Sequence, residues 1–423
     1  MSQTLSDKRL SQARLALFAV FFTQGVAAIT TLPRIPELIH QIDVNFAVWG
    51  SIIGFAGLGS LVPLAFTNTL VNRFGTSPVI RLSAIAIVIA QFSQGQIFNP
   101  LLFFLVLFMQ SMAFSTFNIA LNAQAVMLQN KIGKVLLGSF HGAWSTGAAA
   151  SAALSGWLAS FMPLWLHLII VPAICFVVFQ IAGRKLLTPE EDSHNQEKSK
   201  SKGVSWFKTP KYLWFLALGL FAGMWPELVM MDWSAIYSRD VLHVDLTLGA
   251  WPYTIFTAAM IIGRFAAGPI TKRIQFTTMS AIGGFVGGTA MTLGIVLSNA
   301  LAKTDKHLAL TVEIICFIFS GLGAASMVPS FYSAGGQVKG LSTAQALSRM
   351  SLANALIVMA SKAFMGLLVE DTGIVTAMAF PLISFFAAGV IATVASRHNR
   401  KLKQEAMTAY PPTGPIDAID VAE

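Results

Sequence analysis

The stretch Leu101-Leu-Phe-Phe-Leu-Val-Leu-Phe-Met-Gln-Ser-Met-Ala-Phe-Ser-Thr-Phe-Asn-Ile-Ala-Leu-Asn-Ala-Gln-Ala-Val-Met127 contains no charged residue. About 20 such residues, rising 1.5 Å each as a helix, cover the roughly 30 Å hydrocarbon core of a bilayer. In lipid a backbone must satisfy its own hydrogen bonds, and a run this long does so as a helix rather than as a barrel strand. Working outward, the same reading applies to residues 14–37, 47–70, 79–98, 136–160, 164–182, 211–238, 248–270, 277–301, 308–331, 343–369 and 374–396. The expected fold class is therefore an all-α polytopic membrane protein with 12 transmembrane helices.

Composition agrees. Charged residues make up 11% of the chain and hydrophobic ones 55%, against ~25% charged in a soluble protein. That leaves no room for a sizeable soluble domain. The net charge of +9 does not mark a nucleic-acid surface, because the basic residues lie in loops rather than on one folded face. Cys175 and Cys316 both fall inside apolar runs and read as inert core thiols. No cofactor, metal or nucleic-acid partner is expected, and the lipid bilayer is the expected surroundings of a monomer.

Lys and Arg set the orientation. With the N-terminus inside, cytoplasmic segments take Lys8, Arg9, Arg14, Arg73, Arg81, Lys131, Lys134, the linker, Lys272, Arg273, Lys339, Arg349 and the tail from Arg397. The other side keeps only Arg34, Arg239, Lys303 and Lys306, so both termini are expected in the cytoplasm. The first run is too long for a signal peptide and further spans follow at once, so it reads as a retained helix. The expected organisation is a cytoplasmic N-terminus over 1–13, six helices over 14–182, a cytoplasmic linker over 183–210, six helices over 211–396 and a disordered cytoplasmic tail over 397–423. The linker core Pro189-Glu-Glu-Asp-Ser-His-Asn-Gln-Glu-Lys-Ser-Lys-Ser-Lys202 is polar and lacks aromatics, so it reads as a flexible connector.

The two halves echo one another. Asn72-Arg73-Phe74-Gly75 closes the second run, and Gly263-Arg264-Phe265-Ala-Ala-Gly268-Pro-Ile-Thr-Lys272-Arg273 closes the eighth. Small residues there suit close helix approach, and the basic residues mark cytoplasmic ends. With six plus six helices and this loop pattern, the chain resembles the major facilitator superfamily, although Asn72 stands where the family commonly has Asp. Leu121-Asn-Ala-Gln-Ala, Gly138-Ser-Phe-His-Gly-Ala-Trp-Ser-Thr-Gly147, Met231-Asp-Trp-Ser-Ala-Ile-Tyr237 and Gly321-Leu-Gly-Ala-Ala-Ser-Met-Val-Pro-Ser-Phe-Tyr-Ser-Ala-Gly335 are similar to its bacterial branch related to the fucose permease. The resemblance implies two six-helix bundles built from inverted repeats, a cavity lined by helices 1, 4, 7 and 10, and a bacterial cytoplasmic membrane.

Only Glu227, Asp232 and Glu313 among the acidic residues lie inside the apolar runs rather than at their ends. A carboxylate at that depth costs roughly 2.5–3.5 kcal/mol and is paired, or faces water. All three are proton-coupling candidates. Glu227 is also suited to a structural ion pair, with Lys362 as its expected partner. Asp232 competes between a gate and an interfacial anchor, and Glu313, near the start of its run, between coupling and simple solvation.

Candidate substrate contacts are Gln24 in the first run, Asn118 and Asn122 on one face of the fourth, and His141 and Trp144 on one face of the fifth, joined by Trp233 and Asn354. Amides offer donors and acceptors to hydroxyl-bearing solutes, and they serve equally as glue between helices. His141 suits titration near neutrality or a structural bond to a loop. Asn118 falls where the fucose-permease pattern carries a glutamate, which implies loss of any proton site from the N-terminal half.

No Walker loop, zinc-ligand spacing or nucleophile elbow occurs, so neither an ATP motor nor an enzyme is expected. The expected function is secondary active transport, with proton-coupled uptake of a small polar solute such as a sugar by alternating access. Alternatives are a metabolite or drug exporter and a non-transporting receptor or scaffold. The fifth run lacks the Gly-Pro pairing associated with drug/proton antiporters, which favours uptake.

Overall fold

A computed structural model of the chain describes residues 6–133, 136–191, 209–341 and 343–409. Among the described residues the regular structure is entirely helical. The long helices are α1 (Asp7–Ile29), α2 (Phe46–Ala56), α3 (Thr76–Gln94), α4 (Pro100–Ile132), α5 (Leu137–Ala159), α6 (Leu164–Gly183), α7 (Lys211–Asp240), α8 (Trp251–Thr271), α9 (Phe276–Leu301), α10 (Lys306–Ala324), α11 (Thr343–Thr372) and α12 (Ala379–Ala409). Eleven of the corresponding stretches are long and apolar enough to cross a membrane. The exception is α5, whose sequence is interrupted by Gly, Ser, Thr and His.

Local chemistry sets the ends. Ser6 accepts from the Arg9 N–H at 3.3 Å and starts α1 seven residues before the expected position. Asn99 caps α4 through Leu101 N and Leu102 N, Pro100 follows at the first helical position, and left-handed Gly133 ends the helix. The expected single run 47–70 is broken. α2 passes at Gly57 into a 3₁₀ stretch, Gly57–Ala65, and a separate helix Thr67–Phe74 follows. Pro63 lacks the N–H that would continue an α-helical ladder there. Gly75 stops this helix at φ 81°, a conformation that favours glycine, and a Cβ there would lie 2.8 Å from Pro189.

Packing divides the chain into two compact units. The first comprises Met1–Ser201, Asp232–Thr254 and Met359–Ala377. Its core takes Leu17, Val20 and Phe21 from α1, Ile80, Ala84 and Ile87 from α3, Phe117, Ala120 and Leu121 from α4, and Phe179 from α6. The inward positions recur every three or four residues, although the outward faces are apolar too, with Leu82, Ile89 and Leu101 exposed. Lipid is as apolar as leucine, so shape rather than polarity selects the inner face. On α1 and α5, a Cβ at Gly25 would lie 2.1 Å from Trp144 O, and one at Gly147 2.0 Å from Phe22 O. These two backbones therefore touch.

The second unit comprises Lys202–Met231, Ile255–Val358 and Met378–Glu423. Its helices α9 and α10 meet in the same way, since a Cβ at Gly283 would lie 2.3 Å from Gly323 O.

The described start of the linker, up to Glu191, is held by hydrogen bonds. Ser77 Oγ donates to Gly183 O at 2.8 Å, and Gln124 Nε2 to Leu187 O at 3.2 Å. Arg9 donates to Lys185 O, to Leu186 O and, bidentately, to Glu191 at 2.9 and 2.5 Å. That guanidinium holds the Glu191 carboxyl below the usual carboxylate range. The linker beyond Glu191 and the tail beyond Ala409 lie outside the described residues.

Candidate functional site

In the first unit, α1, α4 and α5 bring several candidate residues together. Gln24 Nε2 donates to Asn118 Oδ1 at 2.7 Å, while the buried Gln24 Oε1 has no partner. Asn118 is exposed although it sits midway along the 33-residue α4. Asn122 turns Nδ2 back to Asn118 O at 2.9 Å. His141 is exposed and lies edge-on to Phe21, ring centres 5.4 Å apart, one turn before Gln24 on α1. Trp144 is half-buried, and its backbone forms part of the α1–α5 contact. The result is an amide, imidazole and indole surface able to give and accept hydrogen bonds.

The carboxylates are arranged differently from the sequence expectation. Lys362 Nζ bonds to Asp232 Oδ2 at 2.6 Å; Asp232 is buried and Lys362 half-buried. Glu227 instead faces Arg264 at 3.8 Å. Glu227 and Asp232 are five residues apart, which puts them about 140° apart around α7. Lys362 therefore takes the second of them, and the expected Glu227–Lys362 pair is corrected. Asp232 is no interfacial anchor, being buried. Trp233 beside it is 1% exposed and packs on Phe46, ring centres 6.0 Å apart, so it is core rather than binding surface. Glu313, expected near solvent, is fully buried and both its oxygens lack hydrogen-bond partners. In the second unit Asn354 is buried, with Nδ2 3.9 Å from Met224 Sδ and Oδ1 unpartnered.

The first unit also joins α2 to α11. The Phe46 N–H donates to Glu370 Oε2 at 2.9 Å, and a Cβ at Gly50 would lie 2.5 Å from Gly366 Cα. Of the loop-motif residues, Asn72 and Arg73 are exposed, with the Arg73 guanidinium 5.2 Å from the Phe74 ring centre. Gly263 packs on Ala325 and Leu322, but nothing lies within 4 Å of a Cβ at Gly268. Both glycines lie inside α8 rather than at its end, and Arg273 is exposed beyond it. Close approach thus explains Gly263 and not Gly268.

Sequence reasoning misses two arrangements. Arg264 reads as part of a loop motif, whereas it lies within α8 and faces Glu227. Arg34 reads as an outer-loop residue, whereas it is buried among Glu37, Met162 O and His167 Nδ1, the last at 3.2 Å. The His167 Nε2–Thr30 Oγ1 distance is 2.8 Å. Because Arg34 only donates, Nδ1 accepts and Nε2 carries the proton. A lone histidine inside the apolar run Leu164-Trp-Leu-His167 is the available signal.

Comparison with known proteins bears on the family and the fold. The model of the Major Facilitator Superfamily matches residues 15–340. An uncharacterized transporter of Sinorhizobium fredii is 26% identical over 328 residues, 77% of this chain and 83% of its own. An uncharacterized MFS-type transporter of Yersinia pestis is 23% identical over 322 residues, 75% of this chain and 78% of its own. Among solved structures, a mutant of the nucleoside transporter NupG superposes with a TM-score of 0.71 at 14% identity, covering 90% of this chain and 98% of that one. A bacterial homolog of the human lysosomal transporter Spinster, inward-facing and unoccupied, gives 0.64 at 16% identity, covering 97% and 100%.

Proposed function

Because the chain belongs to the major facilitator superfamily and is a multi-pass membrane transporter rather than an enzyme, we propose that it takes up a small hydroxyl-bearing solute, a sugar or sugar derivative, with protons by alternating access. The observation that carries this reading is the Gln24–Asn118 contact. An exposed amide halfway along a membrane helix cannot face lipid without cost, so it faces water or a solute. The spare Gln24 Oε1 acceptor suits a solute hydroxyl. His141 and Asn122 extend the same surface, and Asn354, with its own unpartnered acceptor, is a further candidate contact.

Glu227 is the proposed coupling residue. Its Arg264 partner is 3.8 Å away and its side chain keeps 25% exposure, so the carboxylate can exchange that loose partner for a proton. Coupling requires a group that binds the proton differently in the inward and outward states. The Lys and Arg bias supports the placement of both termini in the cytoplasm, and the family resemblance supports a cell membrane location.

A thermal-shift screen of the purified protein against sugars and sugar derivatives tests the solute class. A hit should be weakened at least tenfold by Gln24→Ala or Asn118→Ala. In proteoliposomes, Glu227→Gln should keep exchange of that solute and lose accumulation driven by a pH gradient. Retained accumulation moves coupling away from Glu227, and a hit list without hydroxylated solutes rejects the solute class.

A further inference from the structure

Glu313 has no place in that reading, yet it is a buried carboxyl group with no hydrogen-bond partner. It lies on α10, fully buried, with neither carboxylate oxygen hydrogen-bonded. Among the described residues no ion pair reaches it. Its position on the helix explains why. Glu313, Phe317, Ser320 and Ala324 form one face at spacings of three and four, and that face meets α9. Ser320 Oγ donates to Gly287 O at 3.2 Å. Further out, a Cβ at Gly294 would lie 3.0 Å from Cys316 Cβ and 3.1 Å from the Phe317 ring. Glu313 continues this glycine-lined seam one turn beyond.

The facing elements offer no counter-charge. Helix α9 contains no acidic, basic, histidine, cysteine or tyrosine residue. Helix α8 meets α10 where a Cβ at Gly321 would lie 2.2 Å from Phe256 O, and where Gly263 meets Leu322 and Ala325. It carries Tyr253, a phenol uncharged at neutral pH, and Arg264. Arg264 adjoins Gly263, whose contacts lie nine to twelve residues past Glu313, roughly 13–18 Å along α10. It is also engaged with Glu227. On α10 itself, Lys306 and His307 stand at the outer end, about 9–11 Å before Glu313, and Cys316 is a free thiol.

An ionised carboxylate in this setting would be a bare buried charge, and such groups take up a proton rather than bear that cost. We propose that Glu313 is a second proton-binding site, holding its proton in the closed α9–α10 seam. Its role in transport rests on the proton-coupled reading above; its occupancy does not.

Infrared spectroscopy of the purified wild-type protein at pH 7.5 tests the occupancy without any substrate. The carbonyl band of a protonated carboxylic acid is separate from the carboxylate bands. The difference between wild type and Glu313→Gln should contain the protonated-acid band, with no change in the carboxylate bands. Thermal stability should be nearly unchanged, since glutamine resembles the neutral acid. Should Glu313→Gln not accumulate as folded protein, Glu227→Gln protein labelled with ¹³C at glutamate carboxyls gives the same readout. Glu37, at the end of the first run, is paired with Arg34, so Glu313 is then the only unpaired glutamate left inside an apolar run, and a labelled protonated-acid band should persist at pH 7.5. Loss of carboxylate bands in the first comparison, or absence of the labelled acid band in the second, overturns the proposal. Neither outcome depends on whether Glu227 couples solute to protons.

Discussion

Lys362 Nζ sits 2.6 Å from Asp232 Oδ2, with side-chain exposures of 15% and 6%. Removing one member of such a pair strands the other as a buried charge, which costs about 3–5 kcal/mol. Lys362→Met should therefore lower the thermal unfolding temperature in detergent sharply. Asp232→Asn added to it should restore much of the loss, while Glu227→Gln added to it should restore none. Additive losses in the Asp232/Lys362 double variant would show that the pair is not coupled in solution.

Glu227 and Arg264 should behave differently. At 3.8 Å, with exposures of 25% and 38%, they resemble a partly solvated pair, for which coupling is about 0–1 kcal/mol. A double-mutant cycle with Glu227→Gln and Arg264→Gln should return a coupling energy in that range. A value as large as that for Asp232 and Lys362 would mean that Glu227 is locked to its partner and unable to exchange it for a proton.

These two pairs mark where the sequence stops being informative. A transmembrane helix is a property of composition and length, so runs such as 101–127 are legible without tertiary information. Depth is legible too, since distance along a helix is fixed by residue count. The direction a side chain takes around the helix depends on neighbours that no single run reveals, and so depth alone matches Lys362 to Glu227 instead of Asp232. The same limit hides the burial of Glu313 and Trp233. The Gln24–Asn118 contact joins residues that each draw notice singly, because polar side chains stand out against an apolar background even when their partners do not. The break in the second run has a visible cause in Pro63.

The glycines of the α2–α11 contact and of α8 make opposing predictions. A Cβ at Gly366 would lie 2.5 Å from Phe46 O and 2.6 Å from Gly50 Cα, backbone atoms that cannot swing aside. Gly366→Val should destabilise the protein by about 1–3 kcal/mol, as overpacking does. Gly268 lies inside α8 with nothing within 4 Å of a Cβ. Gly268→Ala should be neutral or stabilise by about 0.5–1 kcal/mol through backbone entropy. Thermal unfolding of the two variants side by side checks both signs.

Orientation can be read by labelling. Thr304 and Lys339 are both exposed, and the Lys and Arg bias assigns them to opposite sides of the membrane. With Cys175 and Cys316 replaced by alanine, Thr304→Cys should react with a membrane-impermeant thiol reagent in intact cells. Lys339→Cys should react only after permeabilisation. The reverse pattern would invert the topology.

The clamp between Arg9 and Glu191 should respond to acid. The Glu191 carboxyl is held below its ordinary value of 4.5 chiefly by its hydrogen bond from Arg9. A depressed folded-state value means that the stabilisation is present above the unfolded value and is lost as pH falls through the lower, folded one. The Thr188 N–H donates to Glu191 Oε2 at 2.9 Å, so its hydrogen exchange reports the clamp directly. After correction for the intrinsic pH dependence of exchange, protection at Thr188 should hold from neutrality to about pH 4.5 and fall below it. Glu191→Gln should lower protection at all these pH values and remove the transition. A transition that persists in Glu191→Gln would assign it to another group and leave Arg9 with only its bonds to Lys185 O and Leu186 O to hold the linker.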